Sequence, residues 1–359
     1  MKRKPFYCVT VMIMIACMMF TPTAFAEKTI PNGPSTNGND TISSIVTYED
    51  MIKILGDIEH TSKGKVNVFT LDDYGTTEKG RSIYAATIGS GETKVWVQAQ
   101  IHGDEKLVTE AALQLLKNLS KSKSSDVETI LQELTIYVIP MYNPDGSIAN
   151  TRGNINGIDL NRDWTLGGFK GAESLVVYKY WADVKPDYAI DLHHQGFKTV
   201  AGTNESTSFS LGISLAPDGP TLPGIKDGSY NTVTKQMVSY VYEDLKDYGY
   251  THIDRYQVGG DEKYFIDIKG GVVSAMMLGL NYDGINPTKH SNPAIFFETK
   301  GNSRDNSLGQ KSNGYLTKQN YLGLKSILYG LASGEVFTVD ESRWYDIPAY
   351  DAVGYLTDY

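Results

Sequence analysis

Short apolar runs alternate with helix-like segments along most of the chain. Runs rich in β-branched and aromatic residues predict strands, and apolar residues spaced three and four positions apart predict helices. The predicted strands are 66–70, 83–88, 94–101, 134–139, 188–192 and 294–301. The predicted helices are 48–59, 106–119, 172–184, 232–248 and 317–331, the first with Thr47 as its N-cap. Strands alternating with helices favour a single α/β domain with a mixed, largely parallel central sheet flanked by helices.

Other regions lack a clear periodicity. Asn143-Pro-Asp-Gly146 is typical of a turn, and residues 151–164 and 197–227 are predicted to be loops. Residues 249–293 are predicted to alternate short strands with glycine-rich turns. We expect the domain to cover residues 45–335, followed by a Tyr- and Asp-rich tail at 336–359 that either packs as an edge element or stays loose.

The N-terminus has the pattern of a secretory signal peptide. Met1-Lys-Arg-Lys4 is basic, an apolar run continues to Phe20, and Thr23-Ala-Phe-Ala26 supplies a cleavage site. The apolar run is shorter than a membrane span requires. The pattern therefore predicts a signal peptide at 1–26, a flexible polar leader at 27–44, and a secreted (extracellular or cell-envelope) protein without a membrane anchor. Lipidation at Cys17 is disfavoured, because the residues after it stay apolar.

Composition narrows the chemistry. The chain has 359 residues, 41% of them hydrophobic, so it can bury a large core. Both cysteines, Cys8 and Cys17, lie in the predicted signal, which leaves His and carboxylates as the metal ligands of the mature chain. Removing the signal takes away three basic residues and no acid, so the net charge changes from −9 to −12. Such a charge disfavours binding to nucleic acid or an anionic membrane.

Polar residues with catalytic potential follow or end four predicted strands. They are His102 with Glu105, Asn143, His193 and Glu298. The carboxyl ends of parallel strands meet at one edge of a sheet, which is where α/β proteins bind ligands. Imidazole and carboxylate are both zinc ligands. A lone His-x-x-Glu is better explained by a surface His beside a helix-capping acid, so the prediction of a metal site depends on the whole set.

With these residues the chain resembles the zinc carboxypeptidases of the carboxypeptidase A type. Its compact layout, cysteine-free once the predicted signal is removed, is more similar to the bacterial secreted branch than to the pancreatic enzymes. The motifs that carry the resemblance occur in the family's order, and they are His102-Gly-Asp-Glu105, Asn143-Pro-Asp-Gly146, Gly157-Ile-Asp-Leu-Asn-Arg-Asp-Trp164, Asp191-Leu-His193 and Phe296-Phe-Glu298. The resemblance implies a secreted, monomeric metallocarboxypeptidase with one zinc per chain. It would hydrolyse the C-terminal bond of peptides or proteins with zinc-activated water and a Glu base.

The resemblance also implies a role for individual residues. His102, Glu105 and His193 would be the zinc ligands, and Glu298 the general base. His193 is preferred to His194, because it follows the strand's apolar Leu192 and neighbouring side chains in a strand point to opposite faces.

Substrate binding is assigned in the same way. Asn161 and Arg162 would bind the free carboxylate of the substrate, and Arg152 would polarise the scissile carbonyl. Tyr282 is the candidate for the family's tyrosine near the catalytic Glu, with Tyr264 and Tyr256 as competitors. The sequence departs from the motif at Asp163, where the family often has a second Asn, and the loop between Arg152 and Asn161 is short.

Alternative functions stay open at this point. A cell-wall (peptidoglycan) peptide hydrolase would keep the same metal chemistry. A catalytically silent binding module is disfavoured because the expected ligands and the Glu are present, and an acyl-amino-acid deacylase fits the Asn161-Arg162 pair less well. Asp283 lies where family members that prefer basic residues carry an acid, but Tyr282-Asp-Gly284 is also an ordinary turn, which is the favoured interpretation.

Overall fold

The fold is built on a mixed β-sheet. It is observed in a computed structural model that describes residues 45–164, 168–195, 197–200, 208–215, 229–248, 253–256, 266–267, 292–300, 309–348 and 350–354. The strands in these residues are β1 (Val66–Thr70), β2 (Tyr84–Gly89), β3 (Thr93–Ala99), β4 (Leu134–Ile139), β5 (Tyr188–Gln195), β6 (Phe197–Val200), β7 (Phe209–Leu215), β8 (Ile253–Arg255), β9 (Ile266–Asp267), β10 (Ala294–Lys300) and β11 (Tyr350–Gly354).

Eight strands lie in the order β1-β2-β4-β3-β5-β10-β7-β8, and β9 pairs with β7. The central run β4-β3-β5-β10 is parallel. The pairs β1-β2, β2-β4 and β7-β10 are antiparallel, whereas β8 and β9 pair with β7 in parallel. The carboxyl ends of β3, β5 and β10 therefore lie side by side at one edge of the sheet. This arrangement confirms the predicted mixed α/β fold.

Helices cover both faces of the sheet. They are α1 (Tyr48–Ser62), α2 (Leu107–Lys121), α3 (Ser125–Glu133), α4 (Pro144–Ala149), α5 (Ala172–Val184), α6 (Ser229–Leu245) and α7 (Gly309–Ser333). The larger core includes Leu115 of α2, Met237 of α6 and Leu324 of α7, all fully buried. A second core contains Val177 and Trp181 of α5. Burial of these apolar surfaces stabilises the packing of the helices on the sheet.

The structure differs from the sequence prediction where local signals were weak or misread. Asn143-Pro-Asp-Gly146 begins the short helix α4, because Asn143 caps it and Pro144 takes the first helical position, where no N–H is needed. Helix α3 is not predicted, although Ser124 caps it. The region 197–227, predicted to be a loop, contains β6 and β7. Strand β5 extends through His193 to Gln195 rather than ending at Leu192.

The chain packs beyond residue 335. Val336, Trp344 and Ile347 are buried in the larger core, and β11 pairs with β6, so this part of the predicted tail is packed rather than loose. The predicted signal peptide and leader lie outside the described residues. None of the helices in the described part of the chain combines the length and apolar character that crossing a membrane requires.

Candidate metal centre

His102, Glu105 and His193 converge at the sheet edge. One ligand atom from each lies within 4.8 Å of the others, and all three side chains are buried. Glu105 Oε1 is 2.8 Å from His102 Nδ1, and Glu105 Oε2 is 3.1 Å from His193 Nδ1. Within the described residues this is the one group of three or more potential ligands that could hold a metal ion. Two imidazole nitrogens and a carboxylate match the ligand set of a catalytic zinc, which leaves the fourth position open.

The loop that presents His102 and Glu105 is held by buried polar contacts. Gln100, with a φ of 58°, donates from Nε2 to the carbonyl of Gly103 and to Ser147 Oγ, both at 2.8 Å. A Cβ on Gly103 would lie 2.1 Å from the backbone of Gly146, so only glycine allows this approach of the loop to α4. Asn143 Nδ2 donates to the carbonyl of Ile101 at 3.3 Å. The Asn-Pro-Asp-Gly segment therefore supports the metal-site loop.

Two further carboxylates orient the imidazoles. Asp159 Oδ1 lies 3.3 Å from His102 Nε2, and Asp191 Oδ2 lies 2.9 Å from His193 Nε2. An Nε2–H that donates to a carboxylate leaves the lone pair on Nδ1, and both Nδ1 atoms face Glu105. The side chains thus fit a metal ion coordinated through the two Nδ1 atoms and Glu105.

The electrostatics of the cluster also suit a cation. Burial alone would lower the pKa of His102, but the Glu105 and Asp159 carboxylates raise it above its ordinary value. Burial would also lower the pKa of His193, but the Asp191 and Glu105 carboxylates outweigh this effect and raise the pKa well above its ordinary value. For Glu105 burial would raise the pKa, but the two imidazoles hold it well below the usual range. Protons therefore compete with a metal for this site, and affinity should fall as the pH falls.

Arg152 lies against the same cluster. Its Nη1 is 3.3 Å from His102 Nδ1 and 3.8 Å from Glu105 Oε1, and its Nε donates to Asp159 Oδ2 at 3.2 Å. Because a guanidinium only donates, the contact with His102 agrees with an unprotonated Nδ1. The short connection to Asn161 thus does not keep Arg152 away from the metal centre.

Asn161 and Arg162 lie in the 3-10 turn Leu160–Arg162, which Asp159 caps. Asn161 is buried and Arg162 is exposed, with its Nη1 donating to the carbonyl of Asn161 at 2.8 Å. Asp163 accepts hydrogen bonds from the backbone N–H groups of Lys170 and Gly171. The Asp163 carboxylate is therefore hydrogen-bonded to the backbone just before α5. These bonds explain how an acid is tolerated beside Asn161 and Arg162.

Glu298 shares a face of the sheet with His193. The two residues are paired in the parallel ladder of β5 and β10, where strands lie about 4.8 Å apart and paired side chains point to the same side. Glu298 is 8% exposed. A buried carboxylate beside a metal centre is a candidate for moving protons.

The tyrosine prediction is not resolved by the structure. Tyr282 and Tyr264 lie outside the described residues. Tyr256 is described, and its ring packs against Phe296, two residues before Glu298, with centroids 5.2 Å apart.

His194 lies on the opposite face from His193, as predicted. It is buried, and neither ring nitrogen has a hydrogen-bond partner within the described part of the chain. Burial lowers the pKa of His194 to about 4, which keeps the ring neutral. The position agrees with the choice of His193 as the ligand.

Sequence reasoning missed the roles of Asp159 and Asp191. Both occur in the quoted motifs, and the spacing of Asp191 two residues before His193 places them on one strand face. That spacing was the available signal for the role of Asp191. The sequence contains no such signal for Asp159, because its contact with His102 joins residues from separate loops.

We expect Asp191→Asn to weaken zinc binding by about 10–100-fold, the typical cost of losing a carboxylate that orients a metal-ligating histidine. Zinc affinity should be measured by competition with a chelator, which does not require activity. Asp183→Asn, a change at an exposed acid on α5, serves as the control and should leave affinity unchanged. Equal affinities in the two variants would contradict the orienting role of Asp191.

Comparison with known proteins shows similarity to one family over part of the chain. Residues 54–217 match the zinc carboxypeptidase family, which confirms the resemblance seen in the sequence. The carboxypeptidase N catalytic chain of Homo sapiens is 26% identical over 139 residues, which cover 33% of this chain and 30% of that protein. This chain thus spans about a third of that relative's length. Membership of the bacterial branch stays a prediction.

Solved structures share the fold at low identity. The metallo-carboxypeptidase of Burkholderia cenocepacia has a TM-score of 0.54 and 20% identity, covering 80% of this chain and 69% of that one. The metallo-carboxypeptidase of Pseudomonas aeruginosa, solved with (2-guanidinoethylmercapto)succinic acid, has a TM-score of 0.57 and 18% identity over 79% of this chain and 68% of that one. At this level of identity the similarity concerns the fold alone.

Proposed function

We propose, from the match of residues 54–217 to the zinc carboxypeptidase family, that this protein is a secreted, monomeric zinc metallocarboxypeptidase acting on the C-termini of peptides or proteins. The observation that carries the proposal is the convergence of His102, Glu105 and His193 at the sheet edge, with Glu298 beside His193 in the ladder. The family match ends before Glu298, so the register of β5 and β10 is the main support for that residue.

The metal would be held by His102, Glu105 and His193. Zinc at such a site supplies a Lewis acid and favours deprotonation of water. The orientation of both imidazoles by Asp159 and Asp191 would keep the ligand geometry fixed during turnover.

Glu298 would act as the general base. Its side chain lies on the face of the sheet that carries His193, at the position paired with that residue. It would accept a proton from the attacking water and return it to the leaving amine, so that the amine departs neutral. Its burial limits competition from bulk water for that proton.

Three polar side chains would bind and orient the peptide. Arg152 contacts the ligand cluster and would stabilise the negative charge that develops on the scissile carbonyl oxygen. Asn161 and Arg162, in the turn after Asp159, would hold the free carboxylate of the substrate. A guanidinium binds a carboxylate in a bidentate manner, which would favour a chain end over an internal segment.

Amidation of the substrate tests this function. We expect a C-terminal amide to lower kcat/KM at least ~10-fold, because a charge-assisted contact contributes roughly 1.5–3 kcal/mol and each ~1.4 kcal/mol is a factor of ten. Arg162→Ala should cost the free peptide a similar factor and reduce the difference between acid and amide. Release of amino acids should be followed by mass spectrometry with and without a chelator.

The matched control is Arg343→Ala, which removes an exposed arginine paired with Glu243 and Asp346. It should keep the full discrimination between acid and amide. If the wild-type protein cleaves amidated and free peptides equally well, it does not recognise the carboxylate. Cleavage of cell-wall peptides would then be the better interpretation.

A further inference from the structure

Gln195 has a buried side-chain amide on the face of the sheet that carries His193. The proposed mechanism does not use this amide. It lies two residues after His193 in β5, so both side chains point to the same side of the sheet. Its Nε2 donates to Ser210 Oγ at 2.6 Å and to the backbone carbonyl of Glu298 at 3.2 Å. The residue is 6% exposed. Gln195 therefore reaches across β10, directly beside the candidate base.

The contacts of Ser210 decide which way the Gln195 amide points. The Ser210 hydroxyl donates its hydrogen to Asp254 Oδ1, and both residues are fully buried. Ser210 Oγ can then only accept from Gln195, and the carbonyl of Glu298 also only accepts. Turning the amide round would set its oxygen against two acceptors. The NH₂ group must face Ser210 and Glu298, so Oε1 points away from both.

No hydrogen-bond donor in the described part of the chain reaches Gln195 Oε1. A buried acceptor without a donor destabilises a fold, so such atoms are rare unless a ligand or water completes them. If Gln195 served only to join β5, β10 and β7, the two hydrogen bonds donated by its Nε2 would be sufficient, and Oε1 would have no role. Gln195 Oε1 is thus an oriented acceptor without a donor, two residues after His193 in β5, and it is suited to accept a hydrogen bond from an N–H group of a ligand.

We propose that Gln195 is a substrate-binding residue whose Oε1 accepts a hydrogen bond from a backbone N–H of the bound peptide. Ser210 and Asp254 are positioning residues that hold the amide in the accepting orientation. The inference rests on the proposed function for the nature of the ligand. A peptide supplies N–H donors at regular intervals, and a hydrogen bond to one of them fixes the chain along the sheet edge.

The test is a cycle between protein and substrate, carried out by calorimetry in full-length, zinc-loaded protein with Glu298→Gln to prevent turnover. The probe is the peptide that the wild-type protein trims fastest in a mixed digest, or acetyl-tetraalanine if it trims none. In further probes each amide N–H of the peptide is replaced in turn by an ester oxygen. Each probe is measured with Gln195 intact and with Gln195→Met, which keeps the length of the side chain but has no acceptor.

One ester probe should bind about 10-fold more weakly than the parent peptide when Gln195 is intact, and this difference should disappear in Gln195→Met. A disturbed fold would weaken all probes equally and would leave the difference in place. Ser210→Ala should reduce the same difference without removing it. Gln236→Met, at a glutamine of α6 that bonds to the carbonyls of Phe337 and Val339, is the control and should keep it in full.

The outcomes separate this inference from the proposed function. Suppose that the wild-type protein releases C-terminal residues but the ester effect is the same with Gln195 intact and with Gln195→Met. Gln195 then does not bind the peptide, so the inference is wrong while the proposed function stands. If the wild-type protein releases none yet the effect depends on Gln195, the inference holds and the carboxypeptidase proposal is wrong. If no probe binds, the inference is wrong, and if the wild-type protein also releases no residue, the carboxypeptidase proposal is wrong as well.

Discussion

The substitution Glu298→Gln is expected to lower kcat by ~10²–10⁴-fold, the usual contribution of general acid–base catalysis. Gln keeps the size and polarity of the side chain but cannot accept the proton. Zinc content and peptide binding should persist, because Glu298 is not among the three converging ligands. The measurements are steady-state kinetics on a free peptide, metal analysis and peptide binding by calorimetry.

Glu110→Gln provides the matched control. Glu110 is an acid of helix α2 whose pKa is raised by burial to about 7, and it accepts a hydrogen bond from Thr317. This change also replaces a partly buried carboxyl, but outside the candidate site, and should leave kcat within about a factor of two. Near-normal turnover in Glu298→Gln would mean that another group moves the proton.

The second large effect is expected at the paired histidines. His193→Ala removes one of three ligands and should abolish stoichiometric zinc and activity, because two ligands hold the metal too weakly to survive dialysis. His194→Ala removes a neutral, buried ring on the other face and should leave zinc nearly stoichiometric. Metal analysis after dialysis compares the two directly.

This pair of variants controls for misfolding, since His194→Ala deletes a buried side chain from the adjacent position and costs packing of similar size. Zinc retained in His193→Ala and lost in His194→Ala would reverse the ligand assignment. Loss from both would indicate that the strand itself had been disturbed, which circular dichroism would reveal.

Much of the fold was predictable because its central strands are continuous apolar runs. Strands β1 and β4 and helix α5 begin and end at the predicted residues. Strands β6 and β7 were missed because Gly, Ser and Thr dominate their surroundings, and β7 gains its stability from pairing with β10, a partner distant in sequence. Helix α4 was read as a turn because Asn, Pro and Gly are frequent in both structures.

In the candidate site the metal ligands were predictable from the sequence, whereas the residues that orient them were missed. His102, Glu105 and His193 could be named because their types and order follow a known pattern, and the structure brings them together. The alternation of a strand was sufficient to separate His193 from His194. The orienting role of Asp159 could not be predicted, since it depends on the direction of an imidazole ring. Asp163 looked unfavourable because its backbone partners lie in a loop that has no sequence signal.

The position of β10 in the sheet has a consequence for how the protein is made. All three candidate ligands lie within residues 102–193, and the strands that carry or precede them, β3 and β5, pair directly with each other. Strand β10, with Glu298, adds to the far side of β5. During synthesis from the N-terminus, the residues that would bind the metal are complete about a hundred positions before the base is added. The ligand set is therefore complete in a nascent chain that still lacks the group proposed to drive hydrolysis.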